Sequence, residues 1–506
     1  MSINTICIIA VFIVYLGVML GIGAYFFKKN RNVSDYVLGG RQLNPWVAAM
    51  SAQASDMSGW LLLGLPGTAY VLYTGTTEAI WTAIGLAVGT YLNWLIVAKR
   101  LRKYTKVAGD SITLPDFFQN RFRDERGIIK GVSSFFVLVF FLFYTASMFS
   151  AGAKLFKTVF NVPYTTALII GAIMIVAYTF LGGFLAVCWT DTIQGILMFI
   201  ALVIAPIIAI SRLGGFDGLS TALSSLSTES FSWLPKTETG TLNVMLLVSS
   251  LAWGIGYFGQ PHILPRFMAI RKTNEIRPAR IIAMIWVIIT LAAAIVIGVV
   301  GKALTPSLAD PESVFMVMVQ DLFPPIITGI FLTAILAAIM STADSQLLVT
   351  SSAVSSDLYA GLINKKAEPK KVLWISRITV IIISIIAALL VSVENPTPGT
   401  LMAQINESVF KLVAFAWAGF GAAFGPIVLF SLFWKRTTKE GALCGIIAGG
   451  VTACIWWLKS GGIFDVYEIV PGFIVSALVI VIVSLCTKVP EEVEKEFELV
   501  KTTELD

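Results

Sequence analysis

Long apolar runs, separated by short polar segments, recur along the whole chain. A helix needs about 20 apolar residues to cross a ~30 Å hydrocarbon layer. Scanning at that length predicts thirteen spans, near 5–27, 44–72, 77–99, 128–157, 164–183, 187–211, 241–268, 279–303, 325–359, 372–393, 405–434, 439–458 and 466–487. The polar segments alternate in charge. Lys28, Lys29, Arg31 and Arg41 follow the first span, and Lys99, Arg100, Arg102, Lys103, Lys106, Arg121, Arg123, Arg126 and Lys130 follow the third, whereas Thr74 to Glu78 carries no Lys or Arg. Arg266 to Arg280, Lys365 to Lys371 and Lys435 to Lys439 continue the rhythm, and Asp310 to Asp321 and Glu394 to Asn406 lack it. Because Lys and Arg collect in cytoplasmic loops, this predicts an outer N-terminus and a cytoplasmic C-terminus. The expected class is an all-α integral membrane protein of about thirteen transmembrane helices.

Two spans break the apolar pattern. The second holds Ser51, Gln53, Ser55, Asp56, Ser58 and Gly59 at its middle, then Gly64, Pro66 and Gly67. An Asp at the centre of a membrane helix costs roughly 3 kcal/mol on insertion scales, so a retained one faces a cation, a proton or a polar cavity. The seventh holds Trp253, Gly254, Gly256, Tyr257, Gly259, Gln260 and Pro261. Helices interrupted at corresponding places in two repeats are where secondary transporters bind substrate and ion. The two lie five spans apart, as two five-helix repeats require. The expected organisation is a peripheral first helix and loop at 1–43, a first inverted repeat at 44–212, a second at 213–434, peripheral spans at 435–487 and an acidic tail at 488–506. Gly85/Gly89 and Gly421/Gly425 read as close helix packing.

Composition narrows the function. With 57% hydrophobic and 13% charged residues, most of the chain lies in lipid. The net charge of +6 is the inside-loop excess and calls for no nucleic acid. Gly254 to Gly259 fits GxGxxG, but no strand or βαβ unit surrounds it, so dinucleotide binding is disfavoured. The single histidine, His262, has no second histidine for a metal site and reads as an interfacial or packed side chain. The five cysteines are scattered without metal spacing and read as small buried hydrophobes. The acidic run Glu491 to Glu498 reads as a solvated short helix or a frayed end. The first span lacks the charged start and cleavage site of a signal peptide and is expected to remain. No nucleophile and base pair is visible, so an enzyme is not expected.

A second polar cluster lies in span nine, where Ala338, Ser341, Thr342 and Ser345 share one helical face. Sodium is satisfied by neutral oxygens, and the unwound second span offers the carbonyls of Ala54 and Met57 opposite this face. The competing reading is that these hydroxyls bond back to their own helix.

The stretches Ser51 to Trp60, Gly64-Leu65-Pro66-Gly67, Gly182 to Val187, Trp189 to Thr192, Tyr257 to Leu264, Met340-Ser341-Thr342 and Ala416 to Pro426 resemble the sodium/solute symporter family, in its proline branch. The resemblance covers residues from about 30 to 480. It implies a leucine-transporter-like 5+5 inverted-repeat core and sodium-coupled uptake of L-proline by alternating access at the cytoplasmic membrane. Oligomeric state is left open, a monomer being sufficient.

The resemblance further implies a sodium site of Ala54, Met57, Ala338, Ser341 and Thr342, the first three through carbonyls. It implies coupling roles for Asp56 and, on the sodium exit path, Asp191. Ser58, Gly59, Trp60 and Gly64 are expected as one wall of the substrate pocket, and Tyr144, Trp253, Tyr257 and Pro261 as the other. Aromatic faces suit a pyrrolidine ring, and free backbone N–H groups near Ser58 and Gly59 suit its carboxylate, so that no buried Arg or Lys is needed. Asp344 departs from some relatives; it reads as a proton or second-cation site, or as a structural hydrogen-bonding group facing the cytoplasmic vestibule. The alternatives are another solute, such as another amino acid, a carboxylate or a sugar, and, from a different class, a channel or sensor.

Overall fold

The computed structural model describes residues 3–505 apart from 28–32, 182, 227–230, 238, 395 and 407. Lys28, Lys29, Arg31 and Gly182 of the sequence reading therefore lie outside the described residues. Among the described residues, regular structure is helical except for two isolated bridges, Leu43 with Ile270 and Lys236 with Leu242. Among the described residues, ten helices are long and apolar enough to cross a membrane, and two apolar helices, Tyr164–Phe180 and Val244–Gly259, are shorter.

The first long helix, α1, is Ile3–Phe27. The second expected span is three pieces: α2 (Pro45–Asp56), α3 (Gly59–Leu62) and α4 (Gly64–Tyr70). Asn44 starts α2 by accepting the Val47 N–H at 3.0 Å, with Pro45 in the first turn, where its missing N–H costs nothing. Next come α5 (Thr74–Leu92), a π turn at Asn93–Val97, and α6 (Ala98–Val107). They are followed by α7 (Leu114–Arg121), α8 (Ile128–Phe160), α9 (Tyr164–Leu181) and α10 (Phe184–Arg212). The seventh expected span is α11 (Val244–Ala252), which tightens into a 3₁₀ stretch at Trp253–Gly259 and resumes after Gln260 as α12 (Leu264–Met268). The rest are α13 (Ile276–Leu304), α14 (Pro325–Ser352) with a π-helical end at Ala353–Ile363, α15 (Pro369–Leu390), α16 (Val409–Phe433), α17 (Lys439–Trp457), α18 (Ile469–Cys486) and α19 (Glu491–Thr502).

Burial separates core from rim. In their most apolar stretches α14 and α16 are 83% and 89% buried against other helices, while α1 and α18 are 28% buried and leave the remainder for lipid. Around that core, α5 meets the 3₁₀ stretch in backbone contact: a Cβ on Gly85 would stand 2.6 Å from the Leu251 carbonyl oxygen, and one on Gly89 would strike Gly254. These glycines pack helices closely, as read from the sequence, and the partner is the interrupted span itself.

The two ends of the bundle differ in charge pairing. At one, Arg41 pairs with Asp110 at 3.0 Å, the Arg102 Nε donates to the Ile270 carbonyl at 2.6 Å and Arg123 pairs with Glu496. At the other, Lys154 pairs with Asp310 at 3.0 Å and with Glu312, and Lys157 with Glu394. The tail departs from expectation. Helix α19 is docked: Val493, Phe497 and Val500 are buried, and the Arg100 and Arg121 guanidinium groups sit 4.8 and 5.7 Å from the Phe497 ring. The i, i+4, i+7 spacing of these three residues makes an apolar stripe that burial rewards by ~1.5–3 kcal/mol per side chain. The cysteines also depart: Cys188 is buried, but Cys7 and Cys454 are half-buried and Cys444 and Cys486 face outward.

Candidate functional site

Helix α2 ends at a break. Met57 (φ −79°, ψ 42°) and Ser58 (φ −32°, ψ −166°) leave helical geometry, and Ser58 restarts the chain as α3 by accepting the Trp60 N–H at 3.3 Å. Opposite it, on α14, the Ser341 hydroxyl reaches the Ala54 carbonyl at 2.8 Å and the Ala338 carbonyl at 3.1 Å. Thr342 Oγ1, one residue on, is buried with no hydrogen-bond partner. Ala54, Met57, Ala338, Ser341 and Thr342 are all fully buried. One hydroxyl thus joins carbonyls of two helices beside a second hydroxyl that lacks a partner, a set of neutral oxygens suited to a small monovalent cation. Among the described residues no three His, Cys, Asp or Glu side chains gather as they would for a transition metal.

Asp56 closes α2. Its Oδ2 accepts the Tyr257 hydroxyl at 2.6 Å, its carbonyl accepts the Tyr144 hydroxyl at 3.5 Å, and its Oδ1 is buried without a partner. Asp56 is therefore tied to the second interrupted helix through Tyr257, rather than to the Ser341 and Thr342 hydroxyls.

Above this lies an aromatic floor. Trp253 centres on Phe410 at 5.1 Å and on Trp60 at 6.0 Å, and Trp60 stands 6.5 Å from Phe410. An open vestibule of about 1000 Å³, lined by Gly64, Gly67, Glu78, Lys154, Glu312 and Phe410, reaches this floor from the end bearing Lys154 and Glu312. A second lobe of about 630 Å³ shares Glu78, Phe410 and Lys411 with it and adds Trp253. A Cβ on Gly64 would meet Phe410 Cβ at 3.1 Å, so the glycine lets the phenyl ring lie against α4.

The expected pocket residues are placed unevenly. Trp60 and Trp253 come together at 6.0 Å, Tyr257 is linked to them through Trp417, and Tyr144 meets Tyr257 through Asp56. Gly59 instead faces Ala151 and Ile339, where a Cβ would have 3.2 Å on each side. Pro261 lines a crevice at the opposite side with Thr113, Phe184 and Asp357. Phe410 and Trp417 belong to the aromatic group but were not singled out in sequence; Tyr257 meets Trp417 edge-on at 4.9 Å.

Below the break the molecule is sealed by polar groups. Arg266, counted in sequence among the loop cations, is fully buried. Its Nη2 donates to Asp191 Oδ2 at 3.1 Å and to Ser345 Oγ at 2.6 Å, its Nε to Ser51 Oγ at 3.1 Å, and its Nη1 to the His262 carbonyl. Ser51 donates to Asp191 at 2.6 Å and Ser55 to Ser345 at 2.6 Å. Asp344 is fully buried at the edge of this network, accepting from Ser345 at 3.4 Å, so it does not face an open vestibule. The imidazole of His262 packs between Phe141 and Tyr144 at 5.6 and 5.8 Å. Ser51 and Ser55 of α2, Asp191 of α10, Arg266 of α12 and Ser345 of α14, five residues from four helices, are thus joined by directional bonds under the break.

Comparison with known proteins decides the family. The sequence profile of the Sodium:solute symporter family matches residues 36–449. The chain belongs to that family. It is a membrane transporter of the sodium:solute symporter type and not an enzyme. The chain is 45% identical to the sodium/proline symporter of Salmonella typhimurium over 504 residues, covering 98% of this chain and 96% of that one. It is 44% identical to the osmoregulated proline transporter OpuE of Bacillus subtilis, covering 94% of each. A solved Na+-coupled sialic acid symporter in a substrate-bound outward-open state superposes with a TM-score of 0.74 at 19% identity, over 95% of this chain and 98% of that one. The expected transporter fold is the fold observed.

Proposed function

We propose that this protein carries L-proline into the cell together with sodium, by alternating access across the cytoplasmic membrane. Near-full-length identity of 45% to a sodium/proline symporter supports the substrate. The observation that carries the ion site is the Ser341 hydroxyl drawn onto the Ala54 and Ala338 carbonyls beside the unpartnered Thr342 hydroxyl. Sodium enters that oxygen set, with the Met57 carbonyl contributing from the break. Proline lies between the break and the aromatic floor, its ring against Trp60 and Trp253, its carboxylate toward the backbone at Ser58 and Gly59. Asp191 and Asp344 take part on the inner route.

The segregation of charged loops supports an outer N-terminus and an inner C-terminus. The proposed thirteen crossings are the ten long apolar helices of the described residues, the two short ones and the broken second span, with the repeats read from the sequence at 44–212 and 213–434. One cation crossing 100 mV releases about 2.3 kcal/mol, and a tenfold sodium gradient adds about 1.4 kcal/mol. Together they sustain an accumulation of several hundredfold.

The test is radiolabelled proline uptake into proteoliposomes under an inward sodium gradient, against potassium at matched potential. Concentrative uptake that needs sodium and is lost in Asp56→Ala is the expected result. Sodium binding without proline uptake would discard the substrate and keep the ion site.

A further inference from the structure

A 3₁₀ stretch inside a membrane helix leaves backbone carbonyls without their helical partners, and in lipid each must be satisfied from elsewhere. In Trp253–Gly259 three side chains do this. The Trp417 indole N–H donates to the Trp253 carbonyl at 2.8 Å, Gln260 Nε2 to the Gly256 carbonyl at 3.0 Å, and Asn93 Nδ2 to the Tyr257 carbonyl at 3.0 Å. Asn93 and Trp417 are each 1% exposed, so water does not substitute for either. Both come from other helices, whereas Gln260 caps its own chain.

Asn93 has a defined route to that carbonyl. It lies four residues beyond Gly89 and eight beyond Gly85, on the face that brings α5 against Leu251 and Gly254, and it opens the π turn Asn93–Val97. Such single turns are frequent at functional sites because they re-aim one side chain without ending the helix. Trp417 holds the other flank. Its ring covers Gly256, where any side chain would strike the indole, and meets the Tyr257 ring edge-on. Tyr257 is thus fixed at its backbone by Asn93, at its ring by Trp417 and at its hydroxyl by Asp56 at 2.6 Å.

We propose that Asn93 and Trp417 are positioning residues for ion coupling: they hold Tyr257 so that its hydroxyl fixes Asp56 at the break, and through Asp56 they set the affinity of the adjoining oxygen site for sodium. This rests on the reading of that oxygen set as the sodium site. A purely structural carbonyl cap would alter stability and leave sodium affinity independent of Tyr257.

A double-mutant cycle on the purified full-length protein, read by direct binding of radioactive sodium, separates the two. Asn93→Leu keeps the shape and removes the donor; it should raise the sodium concentration at half-saturation about tenfold in the wild-type background and less than about twofold in Tyr257→Phe, where the link is already cut. Asn93→Gln, which keeps an amide donor, should recover most of the loss. Trp417→Phe, keeping an aromatic ring of smaller size without the N–H, should raise half-saturation about threefold and supplies the test should Asn93→Leu not fold. Unchanged half-saturation in both Asn93→Leu and Trp417→Phe, or the same fold-change with and without the Tyr257 hydroxyl, overturns the proposal. The control is Ser341→Ala with Thr342→Ala: unaltered sodium binding there overturns the site reading and this inference together, whereas a large loss there alongside an additive cycle overturns only the inference.

Discussion

The two sides of the break at Met57 and Ser58 are closed by different chemistry. Toward the vestibule stand Trp60, Trp253 and Phe410, whose mutual contacts are broad, apolar and tolerant of sliding. Toward the other side stand Arg266, Asp191, Ser51, Ser55 and Ser345, joined by bonds of 2.6 to 3.1 Å with strict angular demands. Dispersion between rings changes gradually with distance, but a buried ion pair that is half broken leaves an uncompensated charge. The aromatic side can therefore yield in small steps, and the polar side must open as a unit, with water entering to take over every partner. The aromatic closure is graded and the polar closure is all or none.

The sharpest way to break this contrast is at Arg266. Arg266→Met strands Asp191 in a buried site, a loss of about 3–5 kcal/mol, and is expected to abolish uptake and lower the melting temperature in detergent. Adding Asp191→Leu should restore most of the thermal stability while uptake stays impaired; failure of the double variant to recover would mean that the pair does not act as one unit. Next in size, Ser341→Ala with Thr342→Ala should raise the sodium concentration for half-maximal uptake at least about tenfold, since two oxygens of the proposed site are gone. Wild-type sodium dependence in that variant would remove the ion from this site. On the aromatic side the change should be milder: Phe410→Leu loses about 1 kcal/mol of ring contact and is predicted to raise the proline KM about fivefold with maximal rate nearly kept. A large fall in maximal rate would mean that the floor is as stringent as the polar seal. Least affected should be Phe497→Ala on the docked tail, with uptake within about twofold of wild type and a tail that limited proteolysis cuts faster.

Much of this plan was legible along the chain because lipid imposes a strict rule: apolar length reports spans, and a Gly, Ser or Asp at mid-span reports a break. Asp56 and the glycines between Trp253 and Gly259 announced both interruptions. Arg266 was misread because counting loop charges follows the chain and not the fold; four residues after His262, it turns back under α2 rather than toward water. The tail was misread because its acidic composition masked the spacing of Val493, Phe497 and Val500. Phe410 gave no signal of its own and Trp417 stood out only as part of the Ala416 to Pro426 stretch, since an aromatic residue in an apolar span is ordinary until its neighbours are known. What the sequence cannot report is which hydroxyl lacks a partner, and Thr342 is the case that matters here.

The aromatic floor has a practical side. Trp60, Trp253 and Trp417 form a chain of indoles with centroid spacings of 6.0 and 6.4 Å, and Tyr467 stacks on the middle one at 5.2 Å. Fluorophores this near exchange excitation and respond to each change in the polarity around them. The protein therefore carries its own optical reporter where the solute would arrive, and ultraviolet emission from the unlabelled molecule, followed after rapid mixing, would time the arrival of each passenger.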